Sequence, residues 1–460
     1  MTTTTDENEA ALSGGLYRQI WRWHFFAGLA VAPFILILAF TGLLYLFDDE
    51  LSVMFDRNLR VVTPQQSLQS VGAQEAAVRT AYPNAKLLQY TGPAAPDRSA
   101  AWGLTTSGGE SVTTFVNPYT AEIIGSRPTG QSLGEVLVRL HGDLMVGPAG
   151  DYLVEFAACW TFVLLVTGLF LWWPRRHRRA GVLAPRLSAK GRSFWRELHS
   201  VPAAWNAPVV AFLILTGLPW SSFWGGTLAS IGTMDALASV MAPTPNFHAA
   251  PSAPDPHAAH RAEEARRDNH DLPWSVRNSA YPTVSAAPHT VTIDQVLAEA
   301  AKRNITGDTL KVFYPTAAGE VYTLSHTPAK AEGQRTVYVN PSDGAIVDDI
   351  SWSRYSPLGK AVEFGVQTHV GKQFGLANQL FMAGSCLILI ASVLFGLAMW
   401  WKRRPGSRLA GPIPGTNVRT PTAVIWATAA LGVLFPLVGL SVVLIILVEL
   451  ARRHFHLANS

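Results

Sequence analysis

Four histidines recur at matched offsets: His24, His141, His199 and His369, one at the start of each of four long apolar segments. The chain is two copies of one plan. His24 is followed by Pro33 at +9 and Thr41-Gly42-Leu43 at +17, and His199 by Pro208 at +9 and Thr216-Gly217-Leu218 at +17. His141 is followed by Gly147 at +6, Gly168 at +27 and Trp172-Trp173-Pro174-Arg175-Arg176; His369 is followed by Gly375 at +6, Gly396 at +27 and Trp400-Trp401-Lys402-Arg403-Arg404. Neutral imidazole is a good axial ligand for haem iron. Helix bundles build such sites from side chains on facing helices. Matched histidines in two half-chains therefore predict two bis-histidine centres, a haem b in each, and with them a transmembrane electron carrier.

The segments that carry these histidines are predicted to cross a membrane. Of 460 residues, 48% are hydrophobic and only 15% charged, with mean hydropathy +0.18. A soluble chain carries about 25% charged residues. Candidate spans are Phe25 to Phe47, Tyr152 to Trp173, Val201 to Phe223 and Leu376 to Trp401, each longer than the roughly 20 residues that cross the hydrocarbon core. The first is too long for a signal-peptide core and lacks a small-residue cleavage site, so it reads as an uncleaved span. Residues 175–196 hold eight Lys and Arg, and residues 402–419 hold five. Both segments are expected in the cytoplasm, which places the N-terminus there and the two long loops outside. The net charge of +4 then reflects topology, and no nucleic-acid partner is needed to explain it. The last apolar run, Thr422 to Leu450, is divided by Pro436. One crossing would put Arg452 and Arg453 outside; a pair of short helices folding back keeps them inside and is the favoured reading. Cys159 and Cys386 lie deep in spans, read as packing residues, and suggest no disulfide or zinc framework.

This topology puts His24 and His199 at the cytoplasmic edge, because both start outward-running spans. His141 and His369 precede inward-running spans and sit at the outer edge. The expected pairs are His24 with His199 and His141 with His369, one centre per leaflet. Arg22 and Arg196 near the inner pair, and Lys372 outside, are candidates to neutralise haem propionates. Gly28, Gly142, Gly147, Gly371 and Gly375 would let a macrocycle approach the backbone. The Trp pairs read as interfacial belts.

Each half also carries an outer domain with a matching ending. Phe115-Val116-Asn117-Pro118 and Tyr338-Val339-Asn340-Pro341 both read as strand, Asn-Pro turn, strand. Helical patterns precede them at Ala73 to Ala81 and Ile293 to Arg303, with strand candidates at Leu87 to Tyr90, Leu310 to Tyr314 and Val321 to Ser325. Two small α+β domains are expected, each a helix over a short antiparallel sheet. Pro243 to His289, with His248, His257, His260, His270 and His289, reads as a Pro/Ala/His-rich linker. Within it, Leu272-Pro273-Trp274-Ser275 echoes Leu218-Pro219-Trp220-Ser221.

These residues resemble the PepSY-associated transmembrane family over about residues 17 to 450. The resemblance rests on Trp23-His24 with Thr41-Gly42-Leu43, on His141-Gly142-Asp143-Leu144 leading to Thr167-Gly168-Leu169-Phe170-Leu171-Trp172-Trp173-Pro174-Arg175, on Leu198-His199, on His369-Val370-Gly371 leading to Trp400-Trp401-Lys402-Arg403, and on the two Asn-Pro turns. It implies periplasmic PepSY domains on a bacterial inner-membrane protein. It further implies haem b inside a four-helix bundle and reductase activity toward a ferric siderophore or other ferric chelate.

The expected order is a cytoplasmic tail at 1–16, the first span at 17–47, a PepSY-like domain at 48–150, the second span at 151–174 and a basic loop at 175–198. The second half repeats this with a span at 199–224, the linker at 225–289, a PepSY-like domain at 290–368, a span at 369–401 and a basic loop at 402–420. A C-terminal hydrophobic helix or hairpin at 421–450 and a tail at 451–460 complete it. The fold class is thus an α-helical membrane protein, a four-helix bundle from two repeated halves with two small α+β domains.

The expected function is electron transfer through two haems to a periplasmic ferric complex. A quinol or a separate flavoprotein would donate, since the chain has no dinucleotide fingerprint, phosphate loop, zinc signature or nucleophile elbow. Trp102, Tyr119, Trp352, Arg354 and Tyr355 are candidate contacts for the ferric substrate. The alternatives are a membrane-anchored, non-catalytic binding module and a solute transporter. Transporters place ionisable residues at the bilayer midplane, and the four spans carry none there.

Overall fold

The computed structural model describes residues 3–174, 181–232, 272–277, 281–305, 310–402 and 422–458. His248, His257, His260 and His270, and the basic residues at 175–180 and 403–421, lie outside the described residues. In chain order the first half contains α1 (Thr3–Tyr45), α2 (Asp48–Phe55), α3 (Arg57–Arg60), α4 (Val71–Ala81), β1 (Lys86–Thr91), β2 (Ala100–Thr105), β3 (Ser111–Val116), β4 (Ile123–Pro128), α5 (Leu133–Asp143) and α6 (Pro148–Trp172). The second contains α7 (Gly191–Gly217), α8 (Ser222–Gly232), α9 (Trp274–Arg277), α10 (Ile293–Ala301), β5 (Leu310–Phe313), β6 (Tyr322–His326), β7 (Arg335–Val339), β8 (Ile346–Ser351), α11 (Pro357–His369) and α12 (Leu376–Trp401). Two more helices, α13 (Thr422–Leu434) and α14 (Pro436–Ala458), follow. The chain divides into two compact units, one of apolar helices and one built on the strands.

In the helical unit, four helices are long and apolar enough to cross a membrane: Gly15–Tyr45, Pro148–Trp172, Gly191–Trp220 and Leu376–Trp401. The first and third begin earlier than the hydropathy pattern predicts, so His24 and His199 lie inside their helices, not at the starts. Helix formation continues through Arg18, Arg22, Arg192 and Arg196 because long cationic side chains leave the apolar surface for water. Val31 and Ile35 of α1 pack on Ala157 and Leu164 of α6, with Leu389 and Val393 of α12 beside them. Asn206 on α7 donates to the Ser385 carbonyl at 2.9 Å and accepts from the Ser385 hydroxyl at 2.8 Å. This buried polar pair ties α7 to α12 in a setting where unpaired amides are costly. Cys159 and Cys386 are buried free thiols, and Cys159 packs with Leu218, Phe435 and Val438. The C-terminal run turns at Phe435-Pro436. There Gly432 and Gly439 meet so closely that a Cβ on Gly439 would lie 2.7 Å from the Gly432 carbonyl oxygen.

In the other unit, the expectation of two separate α+β domains is corrected: the strands form one antiparallel sheet of order β4-β3-β2-β1-β5-β6-β7-β8. The halves join edge to edge, with Gln89 opposite Phe313, Tyr90 opposite Val312 and Thr91 opposite Lys311. Taken alone, each half would leave β1 or β5 as an open edge, and pairing them satisfies both rows of backbone groups. The two halves remain copies in detail. A register shift falls between Phe115 and Val116 in one and between Tyr338 and Val339 in the other. In the turns that follow, Asn117 Oδ1 accepts from Tyr119 N at 2.9 Å and Asn340 Oδ1 from Ser342 N at 3.0 Å. Helices α4 and α10 contribute Val78, Ile293, Val296 and Ala300 to one core with Trp102, Leu104, Val312 and Val337. α4 is capped by Ser70, and α10 carries a Thr292/Gln295 capping box.

The Leu-Pro-Trp-Ser echo gains a physical account here. Ser275 donates its backbone N–H to Glu363 Oε1 on α11 at 3.0 Å, and both residues are buried. In the helical unit, Phe223 and Trp224, just past the other copy, donate theirs to buried Glu155 on α6 at 2.8 and 3.3 Å. Each tetrapeptide thus docks beside one buried carboxyl. For Glu363, burial is the largest influence and pushes the carboxyl above its ordinary range, offset in part by Ser275, Gln334 and Arg277. A carboxyl raised on folding binds more protons folded than unfolded. Its contribution is fully present below the ordinary carboxylate pKa and is lost as pH rises from there through the raised value. Glu363→Gln is expected to flatten this slope. Thermal unfolding of the two full-length proteins between about pH 4 and 7 should show the wild type losing ground to the variant as pH rises. A pH-independent difference would contradict the assignment.

Candidate functional site

Two short helices deliver the histidines that precede spans. α5 is held at its start by a reciprocal cap: Glu135 accepts from Ser132 N at 2.8 Å while Ser132 Oγ accepts from Glu135 N at 3.1 Å. It ends just beyond His141. α11 starts on the Ser356 cap and ends at His369, where Gly371 at φ 78 turns the chain. His369 belongs to the strand-bearing unit, whereas His24, His141 and His199 belong to the helical unit.

Within the helical unit the three histidines share one kind of seat. His24 Nδ1 lies 2.9 Å from Thr167 Oγ1 on α6. His141 Nδ1 lies 3.0 Å from Thr41 Oγ1 on α1. His199 Nδ1 donates to the Ser392 carbonyl on α12 at 2.7 Å. Under each ring is a glycine: a Cβ would come within 3.2 Å of His24 at Gly168, 3.3 Å of His141 at Gly42 and 3.2 Å of His199 at Gly396. Even a single Cβ there would oblige the imidazole to give by a few tenths of an ångström, and a larger side chain by more.

The hydrogen bonds also fix the tautomers. A threonine hydroxyl has one proton to give. Thr167 gives its proton to the Val163 carbonyl at 2.8 Å, and Thr41 to the Ile37 carbonyl at 2.8 Å. With its proton so used, each hydroxyl offers histidine a lone pair, the arrangement in which Nδ1 carries the ring proton. A backbone carbonyl makes the same demand of His199. In all three rings Nε2 is left with its lone pair, the form that binds a metal. Burial pushes the His141 imidazole below its ordinary range, which keeps it neutral. Thr216 back-bonds to Phe212 at 2.8 Å in the same way as Thr41 and Thr167.

His24 and His199 stand together, with ring centroids 6.3 Å apart and planes at 72°. Their seats on α6 and α12 mean that all four long helices contribute. A metal bound to two imidazoles at about 2 Å each, with about 1.1 Å from nitrogen to ring centre, would set the centroids about 6.2 Å apart if the nitrogens opposed. Among the described residues no group of three or more His, Cys, Asp or Glu is poised to hold a metal. Two neutral imidazoles are the number of ligands that a haem iron takes from protein in a bis-histidine site.

The remaining site candidates are placed as follows. Arg196 is one turn before His199 and 60% exposed, 3.8 Å from Glu197. Arg22 is partly exposed two residues before His24, a spacing that turns it to another face of the helix. Lys372 is half exposed and lies 3.9 Å from Asp49. Gly28, Gly142, Gly147, Gly371 and Gly375 do not underlie the described histidine seats; Gly142, Gly147 and Gly375 have open space where a Cβ would be. The proposed outer contacts are largely structural. Trp102 is fully buried between Tyr90 and Tyr314. Tyr119 donates to the Pro96 carbonyl at 2.7 Å, Tyr355 is buried, and Arg354 pairs with Asp348. Sequence reasoning passed over Thr41, Thr167, Ser392 and Glu155; the Thr-Gly pairs at +17 and the Gly at +27 were its available signal. Glu155 and Glu197 do lie within spans; one accepts backbone N–H groups of α8 and the other pairs with Arg186.

The PepSY-associated TM region matches residues 21–403, and the chain belongs to this family of membrane proteins. No curated protein sequence matches it.

Proposed function

We propose that this protein carries electrons through a bacterial inner membrane to a periplasmic ferric complex, a ferric siderophore or similar chelate, for iron uptake. His24 and His199 hold one haem b in a four-helix bundle. For a second haem the sequence repeat offers His141 and His369, and the supporting structural observation concerns the seat of His141. When bound, haem supplies a one-electron ferric/ferrous couple. The chain's own part is to hold neutral imidazoles with Nδ1 donating and Nε2 presented, and to exclude water with apolar helices. Reducing the substrate iron lowers its charge and loosens hard oxygen donors, so iron leaves an intact chelator.

The observation that carries this reading is the His24–His199 pair, 6.3 Å apart with both tautomers set. Its test is the optical spectrum of purified protein before and after dithionite, with a pyridine assay for haem. Sharp low-spin bands at about two haems per chain support it. Colourless protein from haem-replete cells would overturn it and favour the anchored binding module. Thr167→Val is expected to keep the haem but shift its midpoint potential, because a ligand's outer hydrogen bond tunes its basicity. Thr167→Ser should restore the wild-type value, and equal potentials in all three proteins would remove the orienting role.

A further inference from the structure

Where α7 begins and α12 ends, Gly191, Arg192, Trp195, Met399 and Lys402 line a cleft of about 210 Å³. Its floor is apolar, from the Trp195 indole and Met399. Its rim is cationic, and the Lys402 ammonium lies 4.4 Å from the centre of the Trp195 ring. Arg192 and Lys402 are exposed, so the cleft is open at its rim. Trp195 precedes His199 by one turn on α7, and Met399 follows Gly396, under the His199 ring, by one turn on α12. The floor is therefore about 6 Å along the helix axes from the level of His199. Phe395 bridges that step, with its ring 5.8 Å from Trp195.

We propose that this cleft is the electron entry site and that its occupant is a membrane quinol. The proposal rests on the reading of His24 and His199 as a haem centre. At about 210 Å³ the cleft is smaller than the roughly 300–1,000 Å³ of ordinary ligand pockets, a size that suits a single substituted ring better than a flavin or nicotinamide nucleotide. The flat indole floor suits such a ring, and the rim N–H groups suit its two oxygens. The cleft lies at the ends of two spans, where a lipid-soluble donor arrives laterally. Each quinol loses two electrons, one at a time, to the centre at His24 and His199. It releases two protons to water at the cleft mouth and leaves as the quinone.

The test is binding of decylubiquinone to the full-length protein, followed by quenching of tryptophan fluorescence, alongside haem content and the rate at which decylubiquinol reduces the haem. Met399→Trp fills the floor and Lys402→Gln removes a rim donor. Met399→Trp is expected to weaken binding on the order of tenfold or more and to slow reduction by the quinol, with haem content and the dithionite-reduced spectrum unchanged. Lys402→Gln should weaken binding less. Unchanged quinone binding in both variants overturns the proposal, as does a wild type whose haem a protein donor reduces and the quinol does not. A colourless wild type would instead overturn the haem reading, and its quinone affinity in the two variants would still judge the cleft.

Discussion

Replacing His199 with alanine is expected to remove one haem per chain and leave the other. Among the described residues no group of three or more His, Cys, Asp or Glu stands ready to take its place. Its Nδ1 is tied to the Ser392 carbonyl at 2.7 Å, and the ring it faces across 6.3 Å is His24. With one imidazole gone, the remaining ring supplies a single protein ligand. The expected outcome is a fall from about two haems to about one, and retention of the second centre's low-spin bands. His24→Ala should give the same stoichiometry and the same residual spectrum, because both act on one centre. Loss of both haems, or of neither, would show that His24 and His199 do not form a pair. The pyridine assay reads the count and the reduced spectrum reads which centre is left.

Gly396→Leu should come close to the histidine deletion without touching a ligand. A bare Cβ at Gly396 already stands 3.2 Å from His199 Nδ1 and 3.3 Å from Cε1. Leucine adds three more carbons, and the ring must swing off the Ser392 carbonyl to make room. Gly384, twelve residues earlier on the same helix, is the control: a Cβ there meets nothing within 4 Å. Gly384→Leu should bind haem like the wild type, while Gly396→Leu loses the inner centre, as read by haem content and reduced spectrum. Equal haem content in the two variants would mean that Gly396 is a packing residue with no part in the seat.

Much of this is legible in the sequence alone. The four spans follow from composition, and the repeat offsets isolate His24, His141, His199 and His369. The Asn-Pro turns and their flanking strands follow from alternation and turn chemistry. What stayed hidden depends on which surfaces meet. Nothing local says that Thr167 on one helix accepts from His24 on another, although the Thr-Gly pairs recur visibly. Nor does any local pattern say that β1 seeks β5. Trp102 is a case where the signal was present: Ala100, Trp102 and Leu104 alternate on one face and are all buried. That period of two placed the indole in the core, not at a substrate surface. The early starts of α1 and α7 were missed because hydropathy marks the apolar middle of a helix, whereas the helix itself runs on through its arginines.

The joint between β1 and β5 sets a timetable for biogenesis. Gln89 pairs with Phe313, and between them the ribosome must make the rest of the first sheet half and two membrane-spanning helices, α6 and α7. At the usual rate of roughly 5–20 residues per second, β1 waits on the order of ten to forty seconds for its partner. Once β4 is made, four strands are complete, and β1 keeps an unclaimed row of backbone donors and acceptors until β5 arrives. The newborn first half is therefore the most vulnerable form of this protein, open to strand exchange with another nascent copy. Ribosomes that pause between the third span and β5 would lengthen the exposure.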